Sequence, residues 1–281
     1  MAQNSKIEWT NHTVNLWWGC TKVHEGCDNC YAESLSKRFG DDVWGNNKSR
    51  KEIKSAWKDL VKYQAQAQEK GEIHRIFVGS MMDIFEKPMP LIQANIPEYT
   101  TGVLRDRLFD QISNGWYPNL QFLLLTKRPS NINKYIPEAW KTNPPDNVIF
   151  GTSPVNQETA NKLIGQLLEV NGRRFLSIEP QLGEISLRWD SWHDWKDPNK
   201  AKKEIINGSH VLTRSQYDGA KGIDWIIQGG ESGHHKRPFN LEWAYKLKEE
   251  CKEAKIPYFF KQIDKIQEIP LDLHVRQFPI V

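Results

Sequence analysis

The chain has 281 residues, 38% hydrophobic and 26% charged, which gives enough apolar content for a packed core and excludes a chain too polar to fold. A net charge of +3 is too small to mark a nucleic-acid binder by bulk electrostatics. No run nears the roughly 18 apolar residues of a membrane span, and MAQNSKIEWTNHT lacks the apolar centre of a secretory leader; with three of four cysteines in one short loop, a cytoplasmic protein without disulfides or membrane partner is expected.

Val14–Gly19 reads as a first strand, followed by the cysteine loop and a helix over Cys30–Phe39 with Tyr31, Leu35 and Phe39 about one turn apart. Gly40–Gly71 reads as an inserted segment, basic and largely helical from Lys48 to Lys70. Ile73–Gly79, Gln121–Thr126 and Asn147–Thr152 follow as strands. Gln157–Val170 is a helix through Leu163, Leu167 and Val170, stopped by Asn171-Gly172. Arg174–Ile178 is a strand; Glu184–Gly222 is long, polar and Trp-rich, an insertion expected over one rim. Asp224–Gln228 and Pro257–Lys261 are strands flanking a helix over Leu241–Ala254, whose stripe of Leu241, Ala244, Leu247, Cys251 and Ala254 makes Cys251 a small core residue. The strands are near-continuous apolar runs, as a parallel sheet covered on both faces requires. The expected fold is α/β, a full or partial (β/α) barrel in one domain, 1–281, with insertions near 40–71 and 184–222.

Cys20, Cys27 and Cys30 form C-x6-C-x2-C-Y. Three thiolates can fill three corners of a [4Fe–4S] cluster and leave one iron open to a small bidentate ligand. The amino and carboxylate groups of S-adenosylmethionine are such a ligand, and one-electron transfer into its sulfonium yields a 5′-deoxyadenosyl radical. His24 lies in the same loop, so a Cys3His zinc site, stabilising a nucleic-acid-binding protein without catalysis, is the alternative.

Polar clusters follow the strands: Gly79-Ser80-Met81-Met82-Asp83, Thr126-Lys127-Arg128-Pro129, Gly151-Thr152-Ser153-Pro154, Glu179-Pro180-Gln181, Gly229-Gly230-Glu231-Ser232-Gly233 and Lys261-Gln262. In a (β/α) barrel such strand ends share the face that carries the active site. Backbone amides at Gly79-Ser80 or Gly229-Gly230 could approach a cofactor closely, with Ser153 as a further contact. Asp83 or Glu231 could accept from an ammonium or ribose hydroxyl, Lys127 or Arg128 could pair with a carboxylate or phosphate, and Glu179 is a candidate acid, base or substrate anchor. Activity without reductant would suit a hydrolase or transferase with Glu179 or Glu231 as base. Arg173-Arg174, Lys202-Lys203 and His234-His235-Lys236-Arg237 could meet phosphates. His12, His74, His193, His210 and His274 lack metal-ligand spacing and read as structural or exposed. Phosphate-loop, Rossmann and G-x-S-x-G sequences are missing.

WWGCTKVHEGCDNCYAE, VGSMMDIFE, LLLTKRP, FGTSPVN, SIEPQLG, IIQGGESG and FFKQ together resemble the phage-associated three-cysteine-motif family, which is similar to radical S-adenosylmethionine enzymes. The resemblance spans nearly the whole chain. It implies a TIM-like barrel of the radical S-adenosylmethionine type, a cluster loop after the first strand and an external electron donor. The usual loop of that superfamily is C-x3-C-x2-C, against a six-residue first spacer here. Carried over, Tyr31 would meet the adenine, Gly79, Ser80 and Asp83 the methionyl end, and Gly229–Ser232 would be shared between ligand and substrate. The phage association implies a nucleic-acid or nucleotide substrate, with a protein partner encoded nearby as the other.

Overall fold

The computed structural model describes residues 7–92, 94, 96–187 and 222–280. The greater part of the expected insertion at 184–222 therefore lies outside the described residues. Strands form where the sequence is apolar on both faces: β1 (His12–Val14), β4 (His74–Val78), β5 (Leu120–Thr126), β6 (Val148–Thr152), β7 (Arg173–Ile178), β8 (Trp225–Gly229) and β9 (Tyr258–Gln262) make one sheet in the order β1-β4-β5-β6-β7-β8-β9. The pairs β1–β4, β4–β5, β7–β8 and β8–β9 are parallel. Two short strands, β2 (Trp17–Trp18) and β3 (Lys51–Glu52), pair antiparallel in a separate sheet. This mixed α/β fold is consistent with a partial (β/α) barrel. Among the described residues no helix is long and apolar enough to cross a membrane.

The chain divides into two compact units, Met1–Ile149 with Val281, and Phe150–Ile280. In the first, α1 (Tyr31–Arg38) follows the cysteine loop, α2 (Ala56–Lys70) connects towards β4, and α3 (Thr101–Ser113) lies between β4 and β5. The segment expected as an insertion at 40–71 thus supplies α2, which packs on β1, β4 and β5 and buries Leu60, Tyr63, Gln64 and Ala67. Gln64 ties it to the start of β5, donating to Asn119 Oδ1 at 3.0 Å and accepting from Asn119 N at 3.0 Å. Gly71, at φ 63°, ends α2 in the left-handed conformation, which lacks the Cβ penalty there. His12 stacks on Tyr63 with ring centroids 3.9 Å apart and meets His74 at 3.0 Å. Both histidines are buried and His274 is exposed, as their isolated spacing suggested.

The apolar stripe expected along α1 is not its buried face. Ala32 and Ser36 are buried, whereas Tyr31 and Phe39 are 52% and 64% exposed. Small side chains let this helix lie close to its support, and the two large rings face outward.

In the second unit α5 (Gln157–Leu168) opens on an Asn156–Thr159 capping box and buries Leu163, Ile164 and Leu167. Between β5 and this helix lies the short α4 (Ile132–Tyr135) of the first unit. α6 (Leu241–Glu253) buries Ala244, Leu247 and Cys251, the stripe read from the sequence. Gly151 in β6 makes room for Phe175, whose ring would lie 2.3 Å from an added Cβ.

Candidate functional site

The strand register gathers the first unit's polar loops. Val14 pairs with Val78, and Val78 with Leu124, so Asn15, Gly79-Ser80 and Thr126–Arg128 emerge at the same carboxyl-terminal edge of parallel strands. β1 stops at Val14, short of the expected Gly19, because Asn15 turns to bridge loops. Its amide donates to Ser80 Oγ at 2.8 Å and its carbonyl accepts from Met81 N at 2.7 Å. The chain then passes through β2 to Gly19, at φ +115°, where a Cβ would sit 2.3 Å from Val43 O and 2.6 Å from Arg50 Cδ. Only glycine fits that approach.

Cys20, Cys27 and Cys30 are free and partly exposed. Cys27 ends the short turn Glu25–Cys27, which His24 caps by accepting from Gly26 N at 3.1 Å through Nδ1. Cys30 occupies the N-cap of α1. Cys20 differs from both. Burial of its thiol group, reinforced by Asp83 and opposed by Arg128, pushes its pKa up to about 12. Its Sγ also contacts Thr21 O at 3.6 Å. Among the described residues, no three or more His, Cys, Asp or Glu side chains are gathered into a group that could hold a metal ion.

Around Cys20 lies an ion network that the sequence did not announce. Arg50, fully buried, donates to both oxygens of Glu86 at 3.0 and 2.8 Å. It also donates to Val43 O, Gly45 O and Lys48 O at 2.9, 3.1 and 2.7 Å, and to Thr21 Oγ1 at 3.0 Å. Arg128 approaches from the end of β5, donating to Asp83 Oδ2 at 2.7 Å, Thr21 O at 2.5 Å and Cys20 Sγ at 3.7 Å. Burial works against its charge, but Asp83, Cys20 and Glu86 more than offset that and raise its basicity. Asp83 also accepts from Phe85 N, Thr126 Oγ1 and Lys127 N at 3.0, 2.7 and 3.2 Å. With both oxygens engaged, Asp83 serves as a bracket rather than an open acceptor.

The first unit thus brings Cys20, Asp83, Lys127 and Arg128 together, and joins Tyr31 to Ser80 through Tyr31 OH donating to Ser80 O at 2.8 Å. Gly79, at φ +109°, is held by its amide on Val14 O at 3.1 Å. Asn15, Thr21, Arg50 and Glu86 were missed. Arg50 and Glu86 carry no motif, and their partnership spans 36 residues.

In the second unit Glu179 pairs with Lys261 at 2.8 Å, reaching past Gly229, where a Cβ would lie 2.9 Å from Glu179 Oε1. Glu231 is bracketed by Arg237, whose N, Nε and Nη2 donate at 2.8, 3.0 and 2.7 Å. Gly230 is pressed against Ile263 O, 2.0 Å from an added Cβ, and Ser153 is buried after β6. A further polar chain links Gln181, Gln228 and Tyr258.

In the two described basic clusters that could meet phosphates, part of the charge is buried or paired within the fold. Arg174 is fully buried, donating to Val170 O and Gly222 O at 2.7 and 2.8 Å. Lys236 is paired with Asp264 at 2.7 Å, and Arg237 with Glu231. Lys202-Lys203 lie outside the described residues.

Residues 4–272 match a family model described as a protein of unknown function, DUF5131. No curated protein and no solved structure matches the chain.

Proposed function

We propose, from the premise that this chain belongs to the DUF5131 family of proteins of unknown function, that it is a radical S-adenosylmethionine enzyme whose Cys20, Cys27 and Cys30 hold a [4Fe–4S] cluster. The observation that carries the proposal is the donor set. Three free thiols leave one loop, while the fourth cysteine, Cys251, is buried in α6. Three thiolates satisfy three irons and leave the last for a chelating ligand. A single zinc, with Zn–S bonds of about 2.3 Å, needs its donors drawn close together. Of the four donors a Cys3His zinc site would use, His24 Nδ1 already serves as a cap.

A cluster held by Cys20, Cys27 and Cys30 would, once reduced, supply the one electron needed for reductive C–S cleavage of S-adenosylmethionine and so for hydrogen abstraction from a substrate carbon. An external reductant supplies the electron. The chain's own part is to bind and orient. Tyr31 and Ser80, already hydrogen-bonded, suit the adenosyl and methionyl ends, with Gly79, its amide spent on Val14 O, shaping the turn that presents them. Lys127 at the same edge suits a carboxylate, and Asp83 acts by holding Arg128. Within the second unit, the Glu179–Lys261 pair suits proton transfer or substrate anchoring, and Glu231 acts by holding Arg237. The fold that goes with this proposal is a partial barrel of the radical S-adenosylmethionine type, in a cytoplasmic, phage-associated protein.

The substrate class follows from the resemblance alone and is nucleic acid or a nucleotide. The buried Arg174 and paired Lys236 and Arg237 add nothing to it, so a protein partner is the second arm of any substrate screen. Anaerobic reconstitution tests the site. About four iron and four sulfide per chain are expected, lost in Cys20→Ala, Cys27→Ala and Cys30→Ala and kept in His24→Ala. A colourless protein with one zinc, lost in His24→Ala, overturns the proposal.

A further inference from the structure

Resting on the cluster proposed above, we infer that Arg128 and Asp83 are positioning residues that fix Cys20 as the preset corner of the site and tune the cluster bound there through an N–H···S hydrogen bond. The three cysteines are held by different means. Cys27 and Cys30 sit on a short turn and a helix N-cap, built from local backbone. Cys20 is held by long-range contacts. Gly45 N donates to its carbonyl at 2.9 Å, and Gly19 N donates to Met81 O at 3.1 Å. Thr21 is gripped from both sides, by Arg50 on its hydroxyl at 3.0 Å and by Arg128 on its carbonyl at 2.5 Å.

Arg128 is itself aimed. Its Nη1 bonds Asp83 Oδ2 at 2.7 Å and reaches Cys20 Sγ at 3.7 Å, while Nη2 lies 3.8 Å from Glu86 Oε1. Asp83 is in turn oriented by Thr126 and the Phe85 and Lys127 amides. Its 6% exposure leaves it little contact with solvent. A guanidinium so fixed keeps its geometry when the sulfur becomes a thiolate, and the N–H···S contact then strengthens as charge builds on the sulfur. Hydrogen bonds to cluster sulfurs are among the factors that set reduction potential. A positive donor at one corner favours the reduced, more negative cluster, so Arg128 raises the potential.

The test compares wild type, Arg128→Gln and Asp83→Asn after anaerobic reconstitution, reading iron and sulfide per chain and the potential by EPR-monitored redox titration. Thermal melts confirm that each variant is folded, and Arg128→Lys, which keeps the charge without the fork, replaces Arg128→Gln if that variant does not fold. The inference predicts a lower potential in Arg128→Gln and a higher one in Asp83→Asn, where the negative charge beside Arg128 and Cys20 is removed, or loss of cluster from a folded variant. Full loading of folded variants with an unchanged potential overturns it while leaving the cluster standing. A wild type that takes up no iron and sulfide overturns the cluster, and this inference with it.

Discussion

Substituting Arg50 by Met tests whether the buried clamp organises the cysteine loop. The side chain keeps an unbranched apolar stem but loses the guanidinium and every donor, leaving the 2%-exposed Glu86 carboxylate without its bidentate partner and three loop carbonyls without theirs. Breaking a buried ion pair from one side costs about 3–5 kcal/mol, and each buried carbonyl left unpaired adds about 1 kcal/mol or more. Arg128, 3.8 Å from Glu86, compensates only in part. These losses share one site and do not add fully, so about 5 kcal/mol is expected. At about 2 °C per kcal/mol for a chain of this size, the melting midpoint falls by roughly 10 °C. Circular dichroism melts read the shift. The double variant Arg50→Met/Glu86→Leu should recover part of it, because an apolar pair removes the orphaned charge. A midpoint within about 2 °C of wild type would refute the clamp.

His12 is 2% exposed, and burial, then His74, Lys70 and Lys62, lower its pKa from 6.5 to about 4. The unfolded chain takes up the proton first as pH falls, so this stability is present above about pH 6.5 and lost towards about pH 4. It amounts to roughly 3 kcal/mol at most. Urea unfolding of wild type and His12→Phe, which keeps a ring on Tyr63 but cannot charge, should show a flatter pH dependence in the variant; equal slopes contradict the assignment. Gly19→Ala forces a Cβ onto Val43 O at positive φ and should cost at least about 2 kcal/mol, measured by the same melts; a neutral outcome means the loop takes another path. Cys251→Ala should keep all iron and lose about 1 kcal/mol of stability, since the residue fills the core under α6. Iron analysis that follows Cys251 would show the ligand set to be wrong.

The parallel strands were legible because burial on both faces writes an unbroken apolar run, and β4 through β9 fall within a residue of their expected ends. α6 and α5 were legible from their stripes. α1 misled because its largest side chains, Tyr31 and Phe39, face outward over a buried Ala32 and Ser36. α3 was not singled out, since its buried face includes Arg105 and Gln111, which break the apolar period. At the site, Cys20, Ser80, Asp83 and Arg128 were visible as strand-end residues. That Asp83 and Arg128 hold each other, and that Arg50 and Glu86 stand behind them, depends on pairing across 36 to 45 residues. Such contacts leave no local pattern.

The central claim is tested most directly by incubating the anaerobically reconstituted protein with S-adenosylmethionine, with and without dithionite, and measuring 5′-deoxyadenosine. The account predicts 5′-deoxyadenosine only with reductant, and none from Cys27→Ala. A fully loaded, reduced cluster that forms no 5′-deoxyadenosine would contradict it.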